Sequence, residues 1–181
     1  GTSSSSLSLL ASVGIVLYYT DSGLLDGTTY YYKVSAVNAI GEGSSSAVAS
    51  ATTTCTVPGQ PSNLLAAGSS DRIHLSWSAP TSNGGSAVTG YNIYRGSSSG
   101  QLTLFTTLGN ILTYEDGGLP LGATYYYQVS AINAVGEGAR SSEVQGTTSM
   151  QVPSAPGSLQ ASASDGKVDL GWSVPTSNGG S

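Results

Sequence analysis

Apolar and polar residues alternate most clearly between positions 124 and 138, TYYYQVSAINAVGEG. Tyr125, Tyr127, Val129 and Ala131 fall on one face, and Tyr126, Gln128, Ser130 and Ile132 on the other. A period of two, carried by aromatic and β-branched types, predicts a half-buried strand. Gly136-Glu137-Gly138 then signals a turn. Residues 72–78 alternate in the same way, with Ile73, Leu75 and Trp77 inward and His74 and Ser76 outward. Further short strands are predicted at 63–67, 91–95, 102–108, 111–114 and 143–148. Turn signals separate them at 68–71, 80–86, 96–100 and 116–118. Seven short strands with turns between them predict an all-β, two-sheet sandwich.

The pattern occurs twice. Residues 29–43 read TYYYKVSAVNAIGEG, an offset of 95 (124 − 29). Residues 1–54 align with 96–149 and residues 57–86 with 152–181 at that offset, without gaps. The heptapeptide Pro-Thr-Ser-Asn-Gly-Gly-Ser stands at 80–86 and again at 175–181. A fixed period of this length signals a repeat protein built from similar units. The expected division is the C-terminal part of one unit at 1–54, a complete unit with its linker at 55–149, and a linker with the N-terminal part of a third at 150–181. Val57-Pro58-Gly59-Gln60-Pro61 is the expected connector, short and semi-rigid. Residues 1–54 and 150–181 are each expected to be unstable alone, lacking strands that cover the inner face. Their missing parts lie either in a longer repetitive chain or in another copy joined head to tail; the longer chain is the expectation.

Several landmarks together resemble the fibronectin type III domain. They are Trp77, Gly90-Tyr91-Asn92-Ile93-Tyr94, and the series Leu119, Gly122-Ala123-Thr124-Tyr125, Val129, Ala131, Asn133, Gly136 and Gly138. The Asn83-Gly84-Gly85-Ser86 loop is similar to that family's pattern. The form Tyr-x-Asp-x-Gly-Leu, at 114–119 and 19–24, looks like repeats of microbial surface and secreted proteins. The resemblance implies tandem immunoglobulin-like, seven-stranded sandwiches. It places Tyr125 and its counterpart Tyr30 at the tyrosine corner, with the hydroxyl bonded to backbone a few residues upstream. It also implies a core built on Trp77, Tyr91, Tyr125 and Tyr127, with Tyr30 in the earlier unit and Trp172 in the later one.

Composition narrows the function. Only 8% of residues are charged, the net charge is −5, and the basic residues Lys33, Arg72, Arg95, Arg140 and Lys167 are scattered. Nucleic-acid binding needs a clustered basic footprint. No apolar run approaches the roughly 18 residues of a membrane span. Low charge with abundant Ser and Thr suits an extracellular or cell-surface setting. Cys55 is the single cysteine, which excludes an internal disulfide and leaves a small apolar linker residue or an intermolecular thiol.

Candidate chemistry is sparse. His74 is the single histidine and reads as a surface residue. Glu115-Asp116 is a paired acid, but Asp116 is expected to cap the turn that follows. No serine lies in a nucleophile motif with a histidine partner, no oxygen cluster suits calcium, and Gly136-Glu137-Gly138 precedes no helix that would make it a phosphate loop. No cofactor or metal is expected. Arg-Gly-Asp and Asn-x-Ser/Thr are absent; the serine runs at 3–6, 44–46 and 97–99 are solvated turns or O-glycosylation sites. The outward apolar residues Tyr126 and Ile132, with counterparts Tyr31 and Val37, form a candidate contact surface for neighbouring repeats or further copies of the chain. The resulting expectation is a non-catalytic structural segment of a microbial surface fibre, filament, sheath or adhesin. The alternatives are a spacer in a secreted polysaccharide-degrading enzyme and a protein- or glycan-binding module.

Overall fold

The computed structural model describes residues 1–180, and every regular element among them is a β-strand. The sandwich lies between Ser62 and Thr147. One sheet orders β3 (Ser62–Ser69), β4 (Arg72–Ser78) and β7 (Thr113–Gly117). The other orders β10 (Val144–Thr147), β8 (Thr124–Ile132), β5 (Gly90–Gly96) and β6 (Thr103–Gly109), with β9 (Glu137–Arg140) also on β8. All pairings are antiparallel. The alternating pattern dictates the layering. Leu64, Ile73, Leu75 and Trp77 bury their side chains from one sheet, and Tyr91, Ile93, Tyr127, Val129 and Ala131 from the other, with Leu119 closing the cluster. Trp77 and Tyr91 meet edge to face, ring centroids 5.5 Å apart, the geometry preferred by the ring quadrupoles.

Three details differ from the sequence reading. The turn predicted at Gly136-Glu137-Gly138 runs into an additional strand, β9, broken off from the closing strand β10, so eight segments stand where seven are predicted. The break is at Ser141, whose hydroxyl accepts the Val129 amide at 3.0 Å while its own amide donates to the Val129 carbonyl at 2.8 Å. A serine that bonds neighbouring backbone interrupts the ladder without leaving Val129 unpaired. The strand predicted at 111–114 is observed later, as Thr113–Gly117, so Asp116 sits within a strand. At the start of the first strand, Asn63 has φ 52° and the register shifts between Ser62 and Leu65, a bulge the alternation does not reveal.

Both flanking regions reproduce local pairings of the sandwich at the same offset of 95. In β1 (Thr29–Tyr32) and β2 (Ala49–Thr52), Thr29 faces Thr52 as Thr124 faces Thr147. The threonine hydroxyls lie 2.8 Å apart in each pair. Gly1 exchanges backbone bonds with Tyr31 as Gly96 pairs with Tyr126. In β11 (Gly157–Ser164) and β12 (Lys167–Ser173), Ser158 repeats the Asn63 bulge with φ 51°. Facing sheets do not recur among the described residues. Residues 7–24 carry no strand, because their counterparts in the sandwich pair with β5 and β4. The expected core residue Trp172 is 62% exposed, since no second sheet faces the β11–β12 hairpin among the described residues.

Candidate functional site

The chemistry of the sandwich gathers in two places on β8, one on each face. On the inner face, strand alternation brings Arg95 from β5, Asp116 from β7 and Tyr127 from β8 into the space between the sheets. One guanidinium nitrogen, Arg95 Nη1, donates to both Asp116 oxygens, at 2.8 and 2.9 Å, and the Tyr127 hydroxyl donates to Oδ2 at 2.6 Å. Asp116 is almost completely buried. The expected turn cap is therefore incorrect: the carboxylate points inward and ties the two sheets together. The Arg95 guanidinium lies 3.7 Å from the Phe105 ring centroid and 5.1 Å from that of Tyr125, so aromatic faces replace part of its hydration. Burial and the adjacent Asp116 carboxylate push the Tyr127 hydroxyl far above its ordinary pKa. It remains a proton donor to Asp116 across the physiological range. A carboxylate held by a guanidinium and a neutral phenol has no free base to offer, and the arrangement is a clamp.

Tyr125 itself is half-buried against the core, and its hydroxyl makes no upstream backbone bond. The physical reason is local. In the earlier counterpart, the half-buried Tyr30 accepts the Leu25 amide at 3.1 Å; the residue 95 positions after Leu25 is Pro120, which has no amide hydrogen. Tyr127 supplies the buried hydroxyl bond instead.

On the outer face, Glu137 accepts hydrogen bonds from Ser130 and from the Tyr94 hydroxyl, while the Arg140 guanidinium stacks 3.5 Å from the Tyr94 ring centroid. Burial pushes the Glu137 carboxyl up, but the Ser130, Tyr94 and Asn92 hydrogen bonds and the Arg140 charge outweigh it, so its pKa lies below the usual value. Glu42 takes the same bond from Ser35, again 95 residues earlier. The Gly-Glu-Gly sequence is thus less a free turn than a strap across the sheet. It covers Tyr94 and Ser130, both buried although they point outward.

The candidate contact residues are only partly covered. Tyr126, Ile132 and Tyr31 are half-buried, and Val37 is exposed. His74 and Glu115 are direct register partners on β4 and β7 and bond on the solvent side at 2.5 Å, a pairing the sequence reading missed. It is isolated: no group of three or more His, Cys, Asp or Glu side chains suited to a metal occurs among the described residues. Cys55 is exposed, and its Sγ donates to the Gly85 carbonyl at 3.3 Å. No helix among the described residues is long and apolar enough to cross a membrane.

Comparison with known proteins places this geometry. The fibronectin type III domain model matches residues 59–147. Exoglucanase B of Cellulomonas fimi is 33% identical over 178 residues, spanning 90% of this chain and 16% of that protein. Mouse receptor-type tyrosine-protein phosphatase F is 32% identical over 171 residues, spanning 87% of this chain and 8% of that one. The chain therefore spans less than a fifth of either relative. Domains d3-d4 of the rat CD45 extracellular region share the fold, with a TM-score of 0.61, 16% identity and coverage of 79% of this chain and 76% of that structure. The two-sheet sandwich with its Trp77–Tyr91 core is accordingly a fibronectin type III domain.

Proposed function

We propose that the chain is a segment of a tandem fibronectin type III array, divided at 1–54, 55–149 and 150–181, that serves as a non-catalytic structural element outside the cell. The single observation that carries this reading is the recurrence of local pairing at an offset of 95, including the Thr–Thr rungs and the Asn63 and Ser158 bulges. A chain that repeats its architecture, and gathers no nucleophile, base or metal-ligand set among the described residues, is suited to spacing and bearing load. Low charge density and the receptor-type and exoglucanase relatives support an extracellular setting. The role is that of a microbial surface fibre, filament, sheath or adhesin, with Tyr31, Val37, Tyr126 and Ile132 as lateral contacts between neighbouring repeats or copies. Electron microscopy of the native material tests it: fibres support the reading, and dispersed single particles count against it.

One observation favours a second reading. The match to Exoglucanase B runs along almost the whole chain, which suits a spacer in a secreted polysaccharide-degrading enzyme. A catalytic domain in the same reading frame would select that reading; further 95-residue repeats on both sides would select the fibre.

A further inference from the structure

The Asn-Gly-Gly loops at 83–85 and 178–180 have no role in the core or in the Arg95 clamp, yet their backbone lies too close to neighbouring backbone for any side chain to fit at Gly84, Gly85, Gly179 or Gly180. Gly85 lies against the Asp26-Gly27 corner. A Cβ on Gly27 would come within 2.6 Å of the Gly85 carbonyl oxygen, and a Cβ on Gly85 within 2.5 Å of the Asp26 carbonyl carbon. Both glycines have positive φ, 61° and 75°, a region that side chains disfavour. Next to this contact the linker is sewn to the same loop. The Thr56 amide donates to the Gly84 carbonyl at 2.8 Å, and the Gly59 amide donates to the Ser82 carbonyl at 2.9 Å. Asn133 completes the seam, its amide donating to the carbonyls of Thr56 and Asn83 at 2.7 and 2.9 Å.

The arrangement occurs a second time, 95 residues later. Gly180 lies against Leu121-Gly122: a Cβ on Gly180 would meet the Leu121 carbonyl carbon at 2.7 Å, and one on Gly122 would meet the Gly180 oxygen at 3.0 Å. The Gln151 amide donates to the Gly179 carbonyl at 2.8 Å, and the Ser154 amide to the Ser177 carbonyl at 3.0 Å. The side chains around the two contacts differ. At the first, Thr56 donates to the Asp26 carboxylate at 2.7 Å and Cys55 to Gly85. At the second, the counterparts are Leu121 and Met150, and the Met150 side chain packs over Gly122. One junction is polar and the other apolar, but their backbone geometry is shared. The glycines and main-chain bonds set that geometry.

We infer that the Asn-Gly-Gly loop is an interlock: in each unit it docks on the glycine corner that precedes the Tyr-rich strand of the unit before it, fixing one orientation between successive units. A linker alone allows a range of tilts. A linker bonded to a loop that is wedged against the preceding unit does not, and repetition of one geometry makes a rod of constant rise and twist. This inference rests on the tandem-array reading and adds its mechanism.

The test is the distribution of distances between spin labels on the full chain, at Ser50→Cys and Gln101→Cys in a Cys55→Ser background that keeps a hydroxyl donor at position 55. Both labelled positions are exposed. The interlock predicts a single narrow distribution. Gly85→Val, and independently Gly27→Val, should broaden it at least twofold. Gly166→Val is the control, also at positive φ but with nothing within 4 Å of its Cβ and remote in sequence from both labels, and should leave the width unchanged. Thermal unfolding of each variant reports whether the sandwich still forms. A broad distribution in the parent chain, or a narrow one in a folded Gly85→Val variant, overturns the interlock. Either result would leave the array itself standing, whereas dispersed particles in the micrographs would remove the fibre and not the junction.

Discussion

Two hairpins with nearly the same register behave differently in this molecule. In β3–β4, Leu75 is fully buried and Trp77 is 5% exposed; in β11–β12, 95 residues later, Leu170 is 58% and Trp172 62% exposed. The N-terminal region shows the same contrast, with Val34 at 74% where Val129 is at 0%. Alternation and turn chemistry are sufficient to pair two strands. They do not create an inside, which appears only where a second sheet lies about 10 Å away across the inner face. A two-stranded hairpin is marginal in water on its own, so the stability of this chain should be concentrated between residues 62 and 147.

The contrast can be broken most forcefully at the tryptophans. Trp77→Ala should cost about 3–5 kcal/mol, the usual range for a buried aromatic, whereas Trp172→Ala should change stability by no more than about 0.5 kcal/mol, as at an exposed site. Urea denaturation of the full chain, followed by circular dichroism, measures both. Equal losses would mean that the β11–β12 hairpin has a covered face.

The clamp gives the next largest difference. Asp116→Ala leaves the Arg95 guanidinium and the Tyr127 hydroxyl without their shared acceptor, and breaking a buried pair of this sort costs about 3 kcal/mol. Its counterpart Asp21 accepts only the Tyr32 hydroxyl, at 2.9 Å and half-buried; Asp21→Ala should cost about 1 kcal/mol or less. A smaller difference is expected at one position of the closing strand. A Cβ on Gly146 would meet Ile73 Cγ2 at 2.8 Å and the Ala66 Cβ at 3.2 Å, so Gly146→Ala should cost about 1–2 kcal/mol through overpacking. The position 95 residues earlier is already an alanine, the exposed Ala51. A shift in melting temperature for Gly146→Ala reads out this facing sheet directly.

The smallest effect is on pH dependence. The folded pKa of Glu137 is depressed, so the stability it contributes is complete above the ordinary carboxylate value near 4.5. It is lost as pH falls below that value through the folded pKa. The Tyr127 pKa is raised, so its contribution is complete below its ordinary value of 10 and is lost as pH rises beyond it. Glu137→Gln should flatten the acid limb of a stability–pH profile and leave the alkaline limb intact.

What the sequence made legible was whatever depends on neighbours close along the chain. The period of two in 124–132 and 72–78 assigned inner and outer faces for β8 and β4, because alternation is a property of the strand itself. The 95-residue offset told which segments would share a register. What escaped depends on partners distant along the chain. Asp116 read as a turn residue since Gly117-Gly118 follows it, and only the approach of β5 and β8 supplies Arg95 and Tyr127. The recurrence of Asp21 with Tyr32 was an available sign that this pair acts together. His74 reads simply as a surface residue because Glu115 becomes its neighbour only through β4–β7 register. The break at Ser141 had no glycine or proline to announce it. Trp172 reads as a core residue through its likeness to Trp77, but burial belongs to the facing sheet rather than to the residue.

Hydrogen exchange on the full chain, followed by residue-resolved NMR, tests most directly whether the facing sheet makes the difference. The account predicts that the amides of Leu75 and Val129 exchange only through global unfolding, whereas those of Leu170 and Val34 exchange by local opening, at least a hundredfold faster. Equal protection at the two members of each pair would contradict it.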